Sequence, residues 1–152
     1  MIDRLEQLAG DVAALHNKLI LILGASGAGK SALIADLARR HDAHVLDVGR
    51  ELGRRLAACA AKQRSLTATT LLRELADEHA AHDILLVDNI ELLFDRTLRL
   101  DPLDLLKHLA RSRRVVAVWP GELRDGRLTY AVMGHPEHQD YGLEGLVPFA
   151  IQ

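Results

Sequence analysis

The sequence predicts an α/β protein: a mostly parallel sheet in three layers, with helices on both faces. Two observations lead there. Several short runs are apolar at nearly every position, as strands buried on both faces are. Segments with apolar residues at helical spacing alternate with them, the pattern of repeated β-α units.

Taken in order, Ile2, Leu5, Leu8, Val12 and Leu15 recur at helical spacing, so the chain opens with an amphipathic helix. "KLILILG" (Lys18 to Gly24) reads as the first buried strand. Ser31 to Arg40 returns to helical periodicity through Leu33, Ile34, Leu37 and Ala38. "HVLDVG" (His44 to Gly49) is a second strand, Glu51 to Lys62 a second helix and, after the polar break "QRS", Thr69 to His79 a further helix. "DILLVDN" (Asp83 to Asn89) is the third strand. Asp101 and Pro102 start another helix, the aspartate as cap and the proline in the first turn. "RVVAVWP" (Arg114 to Pro120) is the fourth strand. Beyond it, Asp125-Gly126 signals a hairpin between "ELR" and "RLTYAVM". Too few residues separate Pro120 from Leu128 for a parallel crossover. An excursion is therefore expected before a last sheet strand, "LVPFAI" (Leu146 to Ile151), where Pro148 suits only an edge. No repeat, low-complexity tract or linker divides the chain, so residues 1–152 are expected to form one domain.

Composition narrows the function classes. The 152 residues suffice for a sizeable core, and aliphatic side chains dominate the 49% hydrophobic content. Aromatics make up only 3%, little material for the stacking platforms of single-strand binders. A net charge of −2 argues against a protein that coats nucleic acid, though not against a local basic patch. The single Cys59 excludes an internal disulfide, suits a reducing compartment and reads as a small buried hydrophobe. Met1 to Gly10 is amphipathic and charged, so no signal peptide is expected, and no apolar run approaches the ~20 residues that span a bilayer. A soluble, cytoplasmic protein without membrane contact is expected.

"GASGAGKS", comprising Gly24, Ala25, Ser26, Gly27, Ala28, Gly29, Lys30 and Ser31, lies between the first strand and a helix, the context that a phosphate-binding P-loop requires. Gly27 and Gly29 let the backbone wrap closely, with its N–H groups forming an anion nest. The following helix turns the positive end of its dipole to the same place. Lys30 would neutralise the terminal phosphates of ATP, and the Ser31 hydroxyl would ligate Mg²⁺. "ILLVDNIE" supplies the second half: a buried strand ending in Asp88, which reads as the Walker B carboxylate beside that Mg²⁺. The spacing between the motifs implies strand order 5-1-4-3-2, the order of P-loop ATPases that add a strand and usually place a catalytic glutamate directly after the Walker B aspartate. Here that position holds Asn89. Glu91, reachable if the chain turns into a helix after Asn89, is the candidate catalytic carboxylate beside Lys30, and Glu51 the other. The Trp119-Pro120-Gly121 segment replaces the polar residue often found after the fourth strand. Trp119 is expected to close the core under the site.

Arg111, Arg113 and Arg114 precede the fourth strand, so they fall at the end of the sheet opposite the nucleotide and suit a partner or nucleic-acid patch better than a finger for their own site. Arg124 and Arg127 flank the hairpin turn and could act on a neighbouring subunit's nucleotide. Arg96 and Arg99 follow the Walker B strand and are similarly open. His135 and His138 in "GHPEH" form a close pair without a third ligand, which reads as a surface loop rather than a metal site. No N-K-x-D base-reading motif occurs, which disfavours a GTPase.

The P-loop, "ILLVDNIELLF", "VVAVWPG" and the tail "LTYAVMGHPEHQDY" in so short a chain resemble BrxF, the small P-loop protein of BREX bacteriophage-exclusion systems. The resemblance covers nearly the whole chain. It implies an Mg-ATP-binding subunit of a bacterial anti-phage complex, working as a homo-oligomer or with other BREX subunits that modify or monitor DNA. Lys30, Ser31 and Asp88 carry over by motif. No helical lid domain is visible in the sequence, so completion of the active site is expected from another subunit. Two alternatives stay open: a small-molecule kinase, which would need an arginine-bearing lid, and a non-hydrolysing ATP-binding assembly module, which Asn89 favours.

Overall fold

The structure, a computed structural model, describes residues 1–25, 27–130 and 139–151. Its elements are α1 (Ile2–Asp11), β1 (Leu19–Leu23), α2 (Lys30–Arg40), β2 (Leu46–Asp47), α3 (Val48–Ala57), α4 (Arg64–His79), β3 (Ile84–Asp88), α5 (Pro102–Leu109), β4 (Arg114–Val118), β5 (Glu122–Arg124), β6 (Arg127–Tyr130), β7 (Gln139–Tyr141) and β8 (Val147–Ala150). Short 3-10 turns add to them, among them Ala61–Gln63 and Glu91–Phe94. The main sheet has five parallel strands in the order β2-β3-β4-β1-β8. With β8 as the fifth core strand, this is the 5-1-4-3-2 order expected from the motif spacing.

Period-two alternation divides each central strand between two layers. Leu19, Leu21 and Leu23 of β1 join Leu85, Val87, Val115 and Ala117 under α3, α4 and α5. Ile20 and Ile22 join Ile84, Leu86, Val116 and Val118 under α1 and α2. Every residue of β1 is buried, which is why the run reads as continuously apolar rather than alternating. Burial of each such side chain stabilises the fold by about 1.5–3 kcal/mol. The cost of two-sided burial is that any polar substitution within β1 loses hydration on either face.

Local chemistry sets several boundaries differently from the periodicity. The Asp47 side chain accepts from Arg50 N at 3.0 Å and caps α3, so the second strand shortens to two residues and the helix begins at Val48 instead of Glu51. The same helix ends at Ala57 rather than Lys62. The fourth helix begins at Arg64, five residues before the expected start, because the turn at Ala61–Gln63 runs directly into it. Cys59 is half-buried rather than fully packed, its thiol 3.5 Å from the Arg55 carbonyl.

The expected excursion after β4 is a separate antiparallel sheet, β5-β6-β7. Asp125 (φ 50°) and Gly126 (φ 74°) make the hairpin turn, and both lie in the left-handed region that Asp and Gly tolerate. Four of the chain's five aromatic residues pin this small sheet to the core. Phe94 stacks on Tyr130 with centroids 3.8 Å apart, and Trp119 meets Phe94 and Tyr141 edge to face at 5.4 and 5.6 Å. The fully buried Trp119 donates from Nε1 to the Thr129 carbonyl at 3.0 Å.

Burial first, and then the charge of Asp101, push the Tyr141 hydroxyl up to about 12. An acid with a raised native pKa stabilises the fold fully below its unfolded value, near 10, and loses that contribution as pH rises towards the native value. Stability is therefore expected to hold up to about pH 10 on this account and to fall between there and about 12. Asp101→Asn keeps the α5 cap, which accepts from Asp104 N at 3.1 Å, and should lower the Tyr141 midpoint in a phenolate absorbance titration. An unmoved midpoint would remove Asp101 from the account.

β8 lies at the sheet edge beside β1. Ile151 N donates to Leu23 O at 2.7 Å, so alternate peptide groups of the strand face β1 and those of Pro148 and Ala150 face outward. Pro148 thus occupies an outward position, where a missing N–H breaks no ladder bond. No helix among the described residues is long and apolar enough to cross a membrane.

Candidate nucleotide-binding site

At the C-terminal ends of β1, β3 and β4 the chain leaves the sheet, and the motif residues gather there. β1 ends at Leu23 and the loop from Gly24 leads into α2 at Lys30. A Cβ on Gly24 would come 3.3 Å from Ala28 Cβ and 3.4 Å from Ile151, so the loop packs tightly against the strand ends here. Gly27 (φ 81°) and Gly29 (φ 95°) are left-handed, and added Cβ atoms would meet nothing within 4 Å. Conformation rather than space therefore demands glycine at both. Gly29 is the N-cap of the eleven-residue α2, whose first N–H groups have no partner within the helix. Ser31 is exposed in its first turn. Ser26 lies outside the described residues.

The Lys30 ammonium donates to the Trp119 carbonyl at 3.1 Å, directly beyond the end of β4. This contact ties the P-loop lysine to the strand that separates β1 from β3. Trp119 therefore has two faces: its ring closes the core, as expected, while its backbone oxygen opens on the site. In the next strand over, Asp88 ends β3 half-exposed, and its Oδ1 accepts from Asn89 N at 2.7 Å. The sheet thus brings the lysine, bonded just beyond the end of β4, and the aspartate that ends β3 to the same end of the sheet.

Asn89, at the position where a carboxylate is usual, reaches across to β2. Its Nδ2 donates to Asp47 Oδ1 at 2.8 Å, across from β3 to β2. Its φ of 56° is left-handed, which asparagine tolerates better than most residues. Gly49 N donates to the Asn89 carbonyl at 2.9 Å, and a Cβ on Gly49 would fall 2.6 Å from Asn89 Nδ2. Glu91 is exposed at the first residue of the 3-10 turn Glu91–Phe94, so the chain does turn helical after Asn89. Glu51 sits in the first turn of α3, with Oε1 3.8 Å from Arg50 Nε. Asp47 is the residue that the motifs did not single out. The signal was present: "HVLD" ends its strand in aspartate just as "ILLVD" does, and the two aspartates are paired in register.

The arginines divide by role. Arg113 and Arg114 lie at the far end of β4, opposite the P-loop, as expected. Both are engaged within the fold, Arg113 with Asp77 at 2.7 Å and Arg114 with the carbonyls of Ala9 and His82 at 3.2 Å. Arg124 pairs with Glu122 within its own hairpin. His135 and His138 lie outside the described residues. Among the described residues, no group of three His, Cys, Asp or Glu side chains could hold a metal ion.

Sheet order, P-loop and the carboxylate ending β3 together define the fold of the P-loop NTPases. C. elegans PCH-2 shares it with a TM-score of 0.53 and 16% identity, over 99% of this chain and 41% of that one. A DNA replication initiation factor aligns with a TM-score of 0.45 and 16% identity, over 99% of this chain and 44% of the other. The chain thus spans less than half the length of either solved chain. No protein-family profile and no curated protein matches it.

Proposed function

We propose that this protein binds Mg-ATP in the cradle formed by Gly24 to Ser31 and works as a P-loop ATPase or nucleotide-gated switch. The observation that carries the reading is the cradle itself: two left-handed glycines, the open N-terminus of α2 and Lys30 at one point, at the same end of the sheet as Asp88. Backbone N–H groups and the helix dipole grip the phosphates. Lys30 exchanges its bond to the Trp119 carbonyl for the terminal phosphates and stabilises charge there during transfer. The Ser31 hydroxyl and the Asp88 carboxylate are hard oxygen donors of the kind Mg²⁺ takes, and they are its ligands in this reading. When bound, Mg²⁺ supplies neutralisation of charge on the β- and γ-phosphates.

The finer reading is a BrxF-like subunit of a cytoplasmic BREX anti-phage complex. Its support is the sequence resemblance alone. Binding without hydrolysis is the rival that Asn89 favours, and steady-state phosphate release separates the two. An arginine from a second subunit is expected to complete the site, since P-loop cores hydrolyse slowly without one. Gel filtration should then show association that depends on Mg-ATP, alongside saturable binding by titration calorimetry. Absence of binding at millimolar Mg-ATP overturns the reading; binding without association removes only the shared site.

A further inference from the structure

An amide follows Asp88, yet a carboxylate stands beside that amide. Asp47 ends β2 at the position paired with Asp88 on β3. Asn89 links the two: its backbone N–H donates to Asp88 Oδ1 at 2.7 Å and its side-chain amide to Asp47 Oδ1 at 2.8 Å. The first turn of α3 adds the Arg50 N–H to the same Asp47 oxygen at 3.0 Å. Both described bonds of Asp47 therefore end on Oδ1, and Oδ2 takes none among the described residues. The carboxylate is oriented through one oxygen, with the other left to accept a proton. Asn89 is itself held, because Gly49 N donates to its carbonyl and only a glycine fits beneath its amide. Neither Glu91, exposed on its turn, nor Glu51, further along α3, has such support.

We propose that Asp47 is the carboxylate that orients and deprotonates the attacking water in ATP hydrolysis, with Asn89 as the positioning residue that holds it. The proposal rests on the cradle reading above. In the step, the water oxygen forms a bond to the γ-phosphorus while the bond from that phosphorus to the β–γ bridging oxygen breaks. The electron pair leaves with ADP, the water proton passes to Asp47 Oδ2 and later to solvent, and inorganic phosphate is released. A capping aspartate with no part in chemistry is the plain alternative, and isosteric substitution separates the two. Asp47→Asn keeps an oxygen that accepts from Arg50 N and Asn89 Nδ2, and asparagine caps as well as aspartate. Only the proton acceptor is lost.

Phosphate release by Asp47→Asn should fall about a hundredfold or more, the usual size of a general-base contribution, with Mg-ATP affinity within about threefold of wild type. Asn89→Ala, which leaves Asp47 and its cap bond in place, is the second variant. It should lower kcat with KM preserved. Turnover of Asp47→Asn within twofold of wild type, or a loss seen in Glu91→Gln or Glu51→Gln instead, overturns the assignment. So does wild type that releases no phosphate, alone or with DNA. Failure of the cradle reading registers separately, as wild type that binds no Mg-ATP in the same titrations.

Discussion

Lys30→Ala should weaken Mg-ATP binding about a hundredfold or more while the protein keeps its fold. A bond from a charged donor to an ionised acceptor contributes about 1.5–3 kcal/mol, and each 1.4 kcal/mol is tenfold in affinity. A lysine that meets the terminal phosphates makes more than one such contact, so the upper end of that range is the relevant one. The lysine is half-exposed and its described bond is to the Trp119 carbonyl, which solvent can satisfy once the ammonium is gone. Thermal unfolding should therefore change little, so that lost affinity cannot be ascribed to a lost fold. Affinity in Lys30→Ala equal to wild type would refute the cradle.

Gly121→Ala should destabilise the protein more than any surface change, although the added group is one methyl. A Cβ there would lie 1.5 Å from the Thr129 carbonyl oxygen and 2.9 Å from Trp119 Nε1. The first of these is backbone, which cannot rotate aside as a flexible side chain would. Either β6 lifts from the core, taking the Trp119–Thr129 hydrogen bond and the Phe94–Tyr130 stack with it, or the end of β4 moves. Overpacking of this kind costs about 3 kcal/mol or more, a fall of roughly 6–12 °C in Tm for a domain of this size. The chain has one tryptophan, so its emission reports the event directly and should shift to the red as the indole meets water. A melting temperature within about 2 °C of wild type would mean that the hairpin does not pack on Gly121 as described.

What was legible in the sequence, and what was not, follows from the range of the interactions concerned. β1, β3 and β4 are local statements: a strand buried on both faces has to be apolar throughout, and each reads so. Pro148 announced an edge because its missing donor excludes a central place, and Asp125-Gly126 announced a turn because few other pairs accept its dihedral angles. The P-loop is legible for the same reason, since its glycines answer to backbone conformation within eight residues. The neighbourhood of Asn89 was not legible. The residue differs from the expected glutamate, but what it does instead depends on Asp47 in another strand, on its own left-handed backbone and on the missing side chain of Gly49. No periodicity records a contact between residues so far apart in the chain. The early start of α3 escaped for a related reason: Asp47 reads as the end of an apolar run and acts as a cap.

Both free margins of the main sheet are poor templates for a foreign strand. On one side the margin is β2, only two residues long. On the other, Pro148 withholds the donor that an incoming chain would need. Growth by strand addition is thereby discouraged in both directions, as is accidental zippering into fibrils. Copies of the chain that met along this sheet would be joined by side chains rather than by a shared ladder of peptide groups.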